Sequence, residues 1–331
     1  MTEQRPFRTR PRLDKPGRLV ILLLLAAAFA LVPAVAASGC GTAGGGGTGT
    51  GSTGPGTTGP SVTTPSTSVP GGSSTTTLGG IAHPAGKNEL ILQITLGGGF
   101  IRPEVSLYPI PEFSLYGGGR VIVTGPTIAI YPPAALPNLQ TTVVSEEVVQ
   151  LILEASKKAG LFDPSIDYGR PGVTDVGTTT FALNADGHSF QTVVYALGFE
   201  SQAGGLTQPQ VEARTALQDL SARLADLSGF TSGQVTWTPY DFTGIAVYSS
   251  PTQPGTTDSA GVQPNRLDWP LGDLGTLGTA AKDNLRRAVV SGQDLAVLTP
   301  LLDQATSITL WKSGQNYYQL FFRLLLPDQT A

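Results

Sequence analysis

Cysteine is all but missing from this chain of 331 residues: Cys40 stands alone, beside one methionine and two histidines, His83 and His188. A lone thiol forms no internal disulfide, so the fold has no covalent staple and must hold by its apolar core. A structural zinc site takes about four Cys or His ligands in register, and neither histidine has partners at ligand spacing, so no metal and no cofactor is expected. Charged residues are also scarce, at 13% of the chain, with 20 basic against 24 acidic. Six of the basic and two of the acidic side chains fall in the first 18 residues, leaving 14 against 22 beyond them. An acidic chain without a basic stripe repels phosphate backbones, which argues against a nucleic-acid partner. There is no G-x-S-x-G elbow and no supported S-x-x-K pattern. The glycine runs at 97–99 and 117–119 lack the helix-opening context of a phosphate loop and read as turns.

What is present begins with an address. Arg5, Arg8, Arg10, Arg12, Lys15 and Arg18 precede the apolar run LVILLLLAAAFALVPAVAA. A positive end that stays on the cytoplasmic side, followed by an apolar segment that enters the bilayer, is the physics of a secretory signal. Ala37-Ser38-Gly39-Cys40 then resembles the lipobox of bacterial lipoproteins, with Ala37 where that family more often has Leu. The resemblance implies a signal peptide over 1–39, lipid attached to Cys40, and a protein anchored on the extracytoplasmic face of the cell membrane. Two acyl chains suffice for stable anchoring. The alternative is an uncleaved transmembrane anchor, since Leu19 to Ala37 is nearly as long as the roughly 20 residues a span needs; Pro33 and the small residues after it favour cleavage.

Residues 41–80 carry no charge and consist almost wholly of Gly, Thr, Ser and Pro. Such a segment buries too little apolar surface to offset the entropy of ordering itself. The expectation is a disordered linker over 40–80, with a root-mean-square reach of about 35 Å. Its Thr/Ser/Pro-rich half has the composition of an O-glycosylated stalk or of a bare spacer.

From residue 81 the pattern turns globular. ELILQITL (89–96) is a strand, and EFSLY and RVIVT flank Gly117-Gly118-Gly119 as a hairpin. Ser145, Glu146 and Glu147 open a helix that Lys157, Lys158 and Gly160 close. TTTFALN and SFQTVVYAL form a second hairpin around Asp186-Gly187. Thr207 and Gln210 make a T-x-x-Q capping box before a helix over Pro209–Leu227 with stripe Val211, Leu217, Leu220, Leu224 and Leu227. Beyond lie a strand TGIAVYS, an exposed loop at 251–265, a strand RRAVVS, a helix DLAVLTPLLDQA, and a closing hairpin SITLW with YYQLFFRLLL. Pro300 should kink that last helix or mark its first turn. GRVIVTG-helix-hairpin is echoed by RRAVVSG-helix-hairpin. The sum is an α+β fold of mostly antiparallel sheet with about three helices packed on one side. The boundaries expected are 81–205 for a hairpin-helix-hairpin module and 206–331 for a second module, or one domain containing both.

PEFSLYGGGRVIV, VVSEEVVQLILEASKKAGLF and VTDVGTTTFALNADGHSFQTVVYAL look like a recurrent bacterial exported domain of unknown function. The tail from Val289 to Gln329 is similar to the ends of uncharacterised actinobacterial exported lipoproteins. These resemblances support export and imply no activity. Asp163, Asp167 and Asp175, in the loop DPSIDYGRPGVTD, with His188, form the one polar cluster worth following; turn formation, N-capping and pairing of Arg170 with a carboxylate are the commoner uses of such residues. Trp237, Tyr240, Phe242, Tyr248, Trp269 and Trp311 serve as core or line a sugar or peptide surface. The leading expectation is a lipid-anchored envelope protein with a binding or structural role and no catalysis, whose partner beyond the membrane is an envelope polymer or a protein. A hydrolase of envelope polymer, and an uncleaved, membrane-anchored sensor or inhibitor module, are the alternatives.

Overall fold

The computed structural model describes residues 74–75, 80–99, 109–200, 204–227, 229–255, 260–281 and 284–329. The expected signal peptide, with Ala37, Ser38 and Gly39, and the lipid acceptor Cys40 lie outside the described residues. At the end of the expected linker, β1 (Ser74–Thr75) pairs antiparallel with β2 (His83–Pro84), so backbone pairing starts before residue 80. Ile81 is the first core residue. Its N–H donates to Gln150 Oε1 at 2.8 Å, and Gln150 Nε2 donates back to its carbonyl at 3.0 Å.

Turn chemistry then sets a run of antiparallel strands: β3 (Leu90–Gly97), β4 (Phe113–Tyr116), β5 (Arg120–Thr124), β6 (Leu139–Val143), β7 (Thr178–Ala185), β8 (His188–Tyr195) and β9 (Thr238–Pro239). They form one sheet in the order β8-β7-β3-β4-β5-β6-β9. Gly119 joins β4 to β5 at φ 76°, and Asp186 and Gly187 join β7 to β8 at φ 50° and 73°, the left-handed pair that a two-residue hairpin turn demands. Helix α1 (Glu146–Lys158) has acids in its first turn and lysines in its last, and Gly160 turns the chain away at φ 93°. Helix α2 (Gln208–Asp226) opens with the expected capping box, both reciprocal bonds being formed between Thr207 and Gln210. Val149, Ile152 and Leu153 of α1 and Leu217, Leu220 and Leu224 of α2 bury against Leu92, Ile94, Leu115, Val121, Phe181 and Leu183 of the sheet.

The second sheet contains β10 (Gly244–Thr252), β11 (Arg266–Asp268), β12 (Thr279–Ala280), β13 (Arg286–Ser291), β14 (Leu310–Ser313) and β15 (Asn316–Leu324), ordered β11-β14-β15-β10-β13-β12. The β11–β14 pair is parallel and the others are antiparallel. Helix α3 (Gly292–Leu302) supplies Leu295, Leu298 and Leu302 to a core shared with Ile245, Val247, Trp311 and Phe322, into which Tyr116, Ile122 and Leu139 of the first sheet also project. The fold is therefore α+β, with α1 and α2 in one core and α3 in the other. Pro300 lies in the last turn of α3, not the first, so the helix forgoes the bond a backbone N–H there would make to the carbonyl four residues earlier, and it ends two residues later. Of the two divisions expected, two modules or one domain containing both, a boundary at 205 does not coincide with a change of sheet: α2 and β9 serve the seven-stranded sheet, the second sheet begins at Gly244, and the described residues fall in one compact unit.

The sequence echo does not repeat as topology. After α1 the first strand of the hairpin, β7, docks beside β3; after α3 it is the second strand, β15, that docks beside β10. The two hairpins enter their sheets in opposite order.

The aromatics fill core. Trp311 is wholly buried and meets Trp269 and Phe322 edge-on at centroid distances of 5.7 and 5.8 Å. Tyr240 and Phe242 pack on the same core, and Trp237 packs on the first.

Candidate functional site

A cleft of about 830 Å³ opens between the two sheets. On the first-sheet side the chain leaves β3 at Leu96 and turns through Gly98 and Gly99, both at positive φ; a side chain at Gly99 would press on the backbone of Val176 and Gly177 in the loop before β7. Pro109, Ile110 and Glu112 lead into β4, and Thr124 ends β5. The proline-rich segment 133–137 forms a further stretch of wall. It is held by the Ala135 N–H donating to the Ala305 carbonyl at 3.0 Å and the Ser307 N–H donating to the Pro133 carbonyl at 2.9 Å. On the other side stand Tyr248 of β10 and Leu320 to Arg323 of β15.

The walls are mostly apolar, with a few polar groups set into them. Glu112 lies exposed at the rim, yet desolvation by its surroundings raises its carboxyl above the ordinary value. Asp175 lines the same wall in a left-handed backbone conformation at φ 61°. Arg323 interrupts the apolar run LFFRLLL. Its Nε is shut off from water and has no hydrogen-bond partner, and the same is true of Ser307 Oγ on the cleft wall.

The polar residues singled out in the sequence are put to separate uses. Asp163 caps its own turn by accepting from the Ser165 N–H at 2.9 Å and from the Ser165 hydroxyl, which lowers its carboxyl. Asp167 accepts from the Gly169 N–H at 2.9 Å and from Gln210 Nε2 at 2.8 Å, and is lowered in turn. His188 sits in the β7–β8 turn, its Nδ1 2.7 Å from the Asp186 carbonyl and its ring 5.9 Å from that of Phe190. Asp175 alone of the four lines the cleft. Arg170 stacks over the Tyr195 ring at 4.1 Å. Among the described residues no three His, Cys, Asp or Glu side chains converge on a metal position. No helix among them is long and apolar enough to cross a membrane.

His83 has acquired partners that its linker-exit position did not suggest. It is buried, with Nε2 2.9 Å from Glu146 Oε1 and Nδ1 2.9 Å from the Pro84 carbonyl, tying the start of the fold to the first turn of α1. Two arginines escaped sequence reasoning altogether. Arg214 is fully buried: Nε donates to Glu200 Oε1 at 2.7 Å, and its terminal nitrogens donate to the carbonyls of Tyr168 (3.1 Å), Tyr195 (2.8 Å) and Ala196 (2.6 Å). Burial pushes the Glu200 carboxyl up, but hydrogen bonds from its own backbone, Arg214, Gly198 and Gln218 outweigh it and hold the group below its ordinary value. The signal for Arg214 was its place three residues before Leu217, on the apolar stripe of α2; the signal for Arg323 was a lone charge inside an apolar strand. Arg214 is structural, whereas Arg323 faces the cleft. Comparison with family models, curated proteins and solved structures finds no match to this chain.

Proposed function

We propose that this chain is a lipid-anchored, non-catalytic binding protein of the cell envelope, held at the outer face of the membrane through Cys40 and offering the cleft between its sheets to a largely apolar guest. The order of basic segment, apolar run, small residues, Cys40 and uncharged spacer supports the anchor. The cleft carries the binding role: its volume falls in the range of small-molecule sites, and its walls are apolar with few polar groups set among them. Leu96, which lines it, keeps 46% of its surface exposed, and apolar surface left in water at roughly 25 cal/mol per Å² is surface that a ligand would cover favourably.

The anchor is tested by the mass of the N-terminal peptide of the membrane-purified protein. The expected species begins at Cys40 with a diacylglyceryl adduct that is lost in Cys40→Ala; an unmodified peptide starting near Met1 would refute it. The cleft is tested with Nile red, an uncharged dye. Its fluorescence should rise on binding, and Leu96→Asp should weaken that binding about tenfold or more by placing a charge in the apolar wall, without lowering the melting temperature. Unchanged binding by Leu96→Asp removes the cleft from consideration.

A further inference from the structure

Several arginines of this fold donate to acceptors within the protein. Arg214 bonds one carboxylate and three carbonyls, Arg286 caps the carbonyls of Thr276, Leu277 and Gly278, and Arg287 donates to Tyr248 Oη. Arg323 has no such acceptor. Its cross-strand neighbour on β10 is Ala246, which has nothing polar to offer. Its Nε is buried without an acceptor, and no carboxylate among the described residues pairs with it. It is also the basic residue among those lining the cleft. The buried Nε is unfavourable as it stands and out of reach of a guest, but no hydrogen bond or carboxylate among the described residues holds the terminal nitrogens either, and an anion entering from the cleft would meet those donors in a charge-assisted bond.

We propose that the guest is a long-chain anionic amphiphile, its carboxylate or phosphate head on Arg323 and its chain along Phe321, Ile110 and Leu96. The proposal rests on the cleft being a binding site and adds the chemistry of what is bound. The other titratable groups lining the cleft are Glu112, ahead of β4, Asp175, ahead of β7, and Tyr248 on β10. Glu112, raised by desolvation, loses its charge as pH falls through its elevated value and then no longer opposes the head. An amphiphile that stays anionic therefore binds more tightly as pH falls.

The experiment is displacement of Nile red from the full chain carrying Cys40→Ala, free of detergent, by laurate, dodecyl phosphate and dodecanol below their micelle concentrations. One or both anions should displace the dye at concentrations about 10- to 100-fold below dodecanol, the range of a charge-assisted hydrogen bond; laurate alone assigns a carboxylate ligand, dodecyl phosphate alone a phosphate. Arg323→Gln should erase this preference, read as the ratio of anion to dodecanol displacement within the same variant, Arg323→Lys should retain part of it, and Glu112→Gln should lessen the tightening at low pH seen with dodecyl phosphate, leaving only what the phosphate's own second ionisation at about pH 6 causes. If dodecanol competes as well as the anions, or Arg323→Gln keeps the preference, the assignment of an anionic ligand is overturned while the cleft stands. If Nile red itself fails to bind, the cleft reading falls first.

Discussion

Replacing Arg214 by methionine is the sharpest probe of how this fold is held together. The change keeps most of the volume of a side chain with no exposed surface, and removes four donors at once: one to Glu200, whose side chain is only 11% exposed, and three to carbonyls at the end of β8 and in the loop before β7. Breaking a buried pair by removing one partner costs about 3–5 kcal/mol, because the other charge stays behind uncompensated. At about 2–4 °C per kcal/mol for a domain of this size, the melting temperature should fall by roughly 6–20 °C. The assay is urea unfolding at constant m-value, repeated from neutral to acid pH. The folded-state pKa of Glu200 is depressed, so its contribution is fully present above the unfolded value of about 4.3 and is lost as pH falls through the folded value. The gap between wild type and Arg214→Met should therefore narrow in acid, and Arg214→Met/Glu200→Gln should be more stable than the single variant at neutral pH. A loss below about 1 kcal/mol, or a gap that does not change with pH, would refute the assignment of Arg214 and Glu200 as the bond between α2 and the segment that follows β8.

Gly119→Ala should be strongly destabilising, by about 2 kcal/mol or more: the residue sits at φ 76°, and an added Cβ would run into the Val144 carbonyl oxygen, which the Val144 N–H bond to the Gly119 carbonyl holds in place. Thermal melting of Gly119→Ala beside Gly118→Ala, where φ is 70° but the space is open, separates the clash from the backbone strain. Tyr116→Phe removes the 2.8 Å bond that the buried Tyr116 hydroxyl donates to Asp328 and should cost about 1–2 kcal/mol. Hydrogen exchange should report faster opening of the backbone around Leu326 and Gln329 in that variant, and equal protection would show that the bond does not hold the chain's last turn.

Much of the secondary structure was legible because it is written in local chemistry. The β7–β8 hairpin follows from Asp-Gly between alternating apolar residues, α1 from two glutamates at one end and two lysines with a glycine at the other, and α2 from a capping box. The elements least visible were the short edge strands β9, β11 and β12, whose two or three residues carry no periodicity and exist only because a neighbouring strand offers them partners. The acidic loop 163–175 drew attention through composition, and its residues proved to be used one at a time: Asp163 and Asp167 satisfy nearby N–H groups, while Asp175 reaches the cleft.

By itself the sequence determined the class of the fold, its hairpins and principal helices, and the place near residue 80 where globular patterning replaces the uncharged spacer. These depend on residues close in the chain: a turn on two φ angles, a cap on residues three apart, an amphipathic face on a period of 3.6 or 2. Only the tertiary structure decided the order of strands in each sheet, the opposite docking of the two echoed hairpins, the pairing of His83 with Glu146 and of Arg214 with Glu200, and the cleft with Arg323 in its wall. Each of these joins groups far apart in sequence, and local propensity carries no information about which distant backbone or side chain will arrive to complete them.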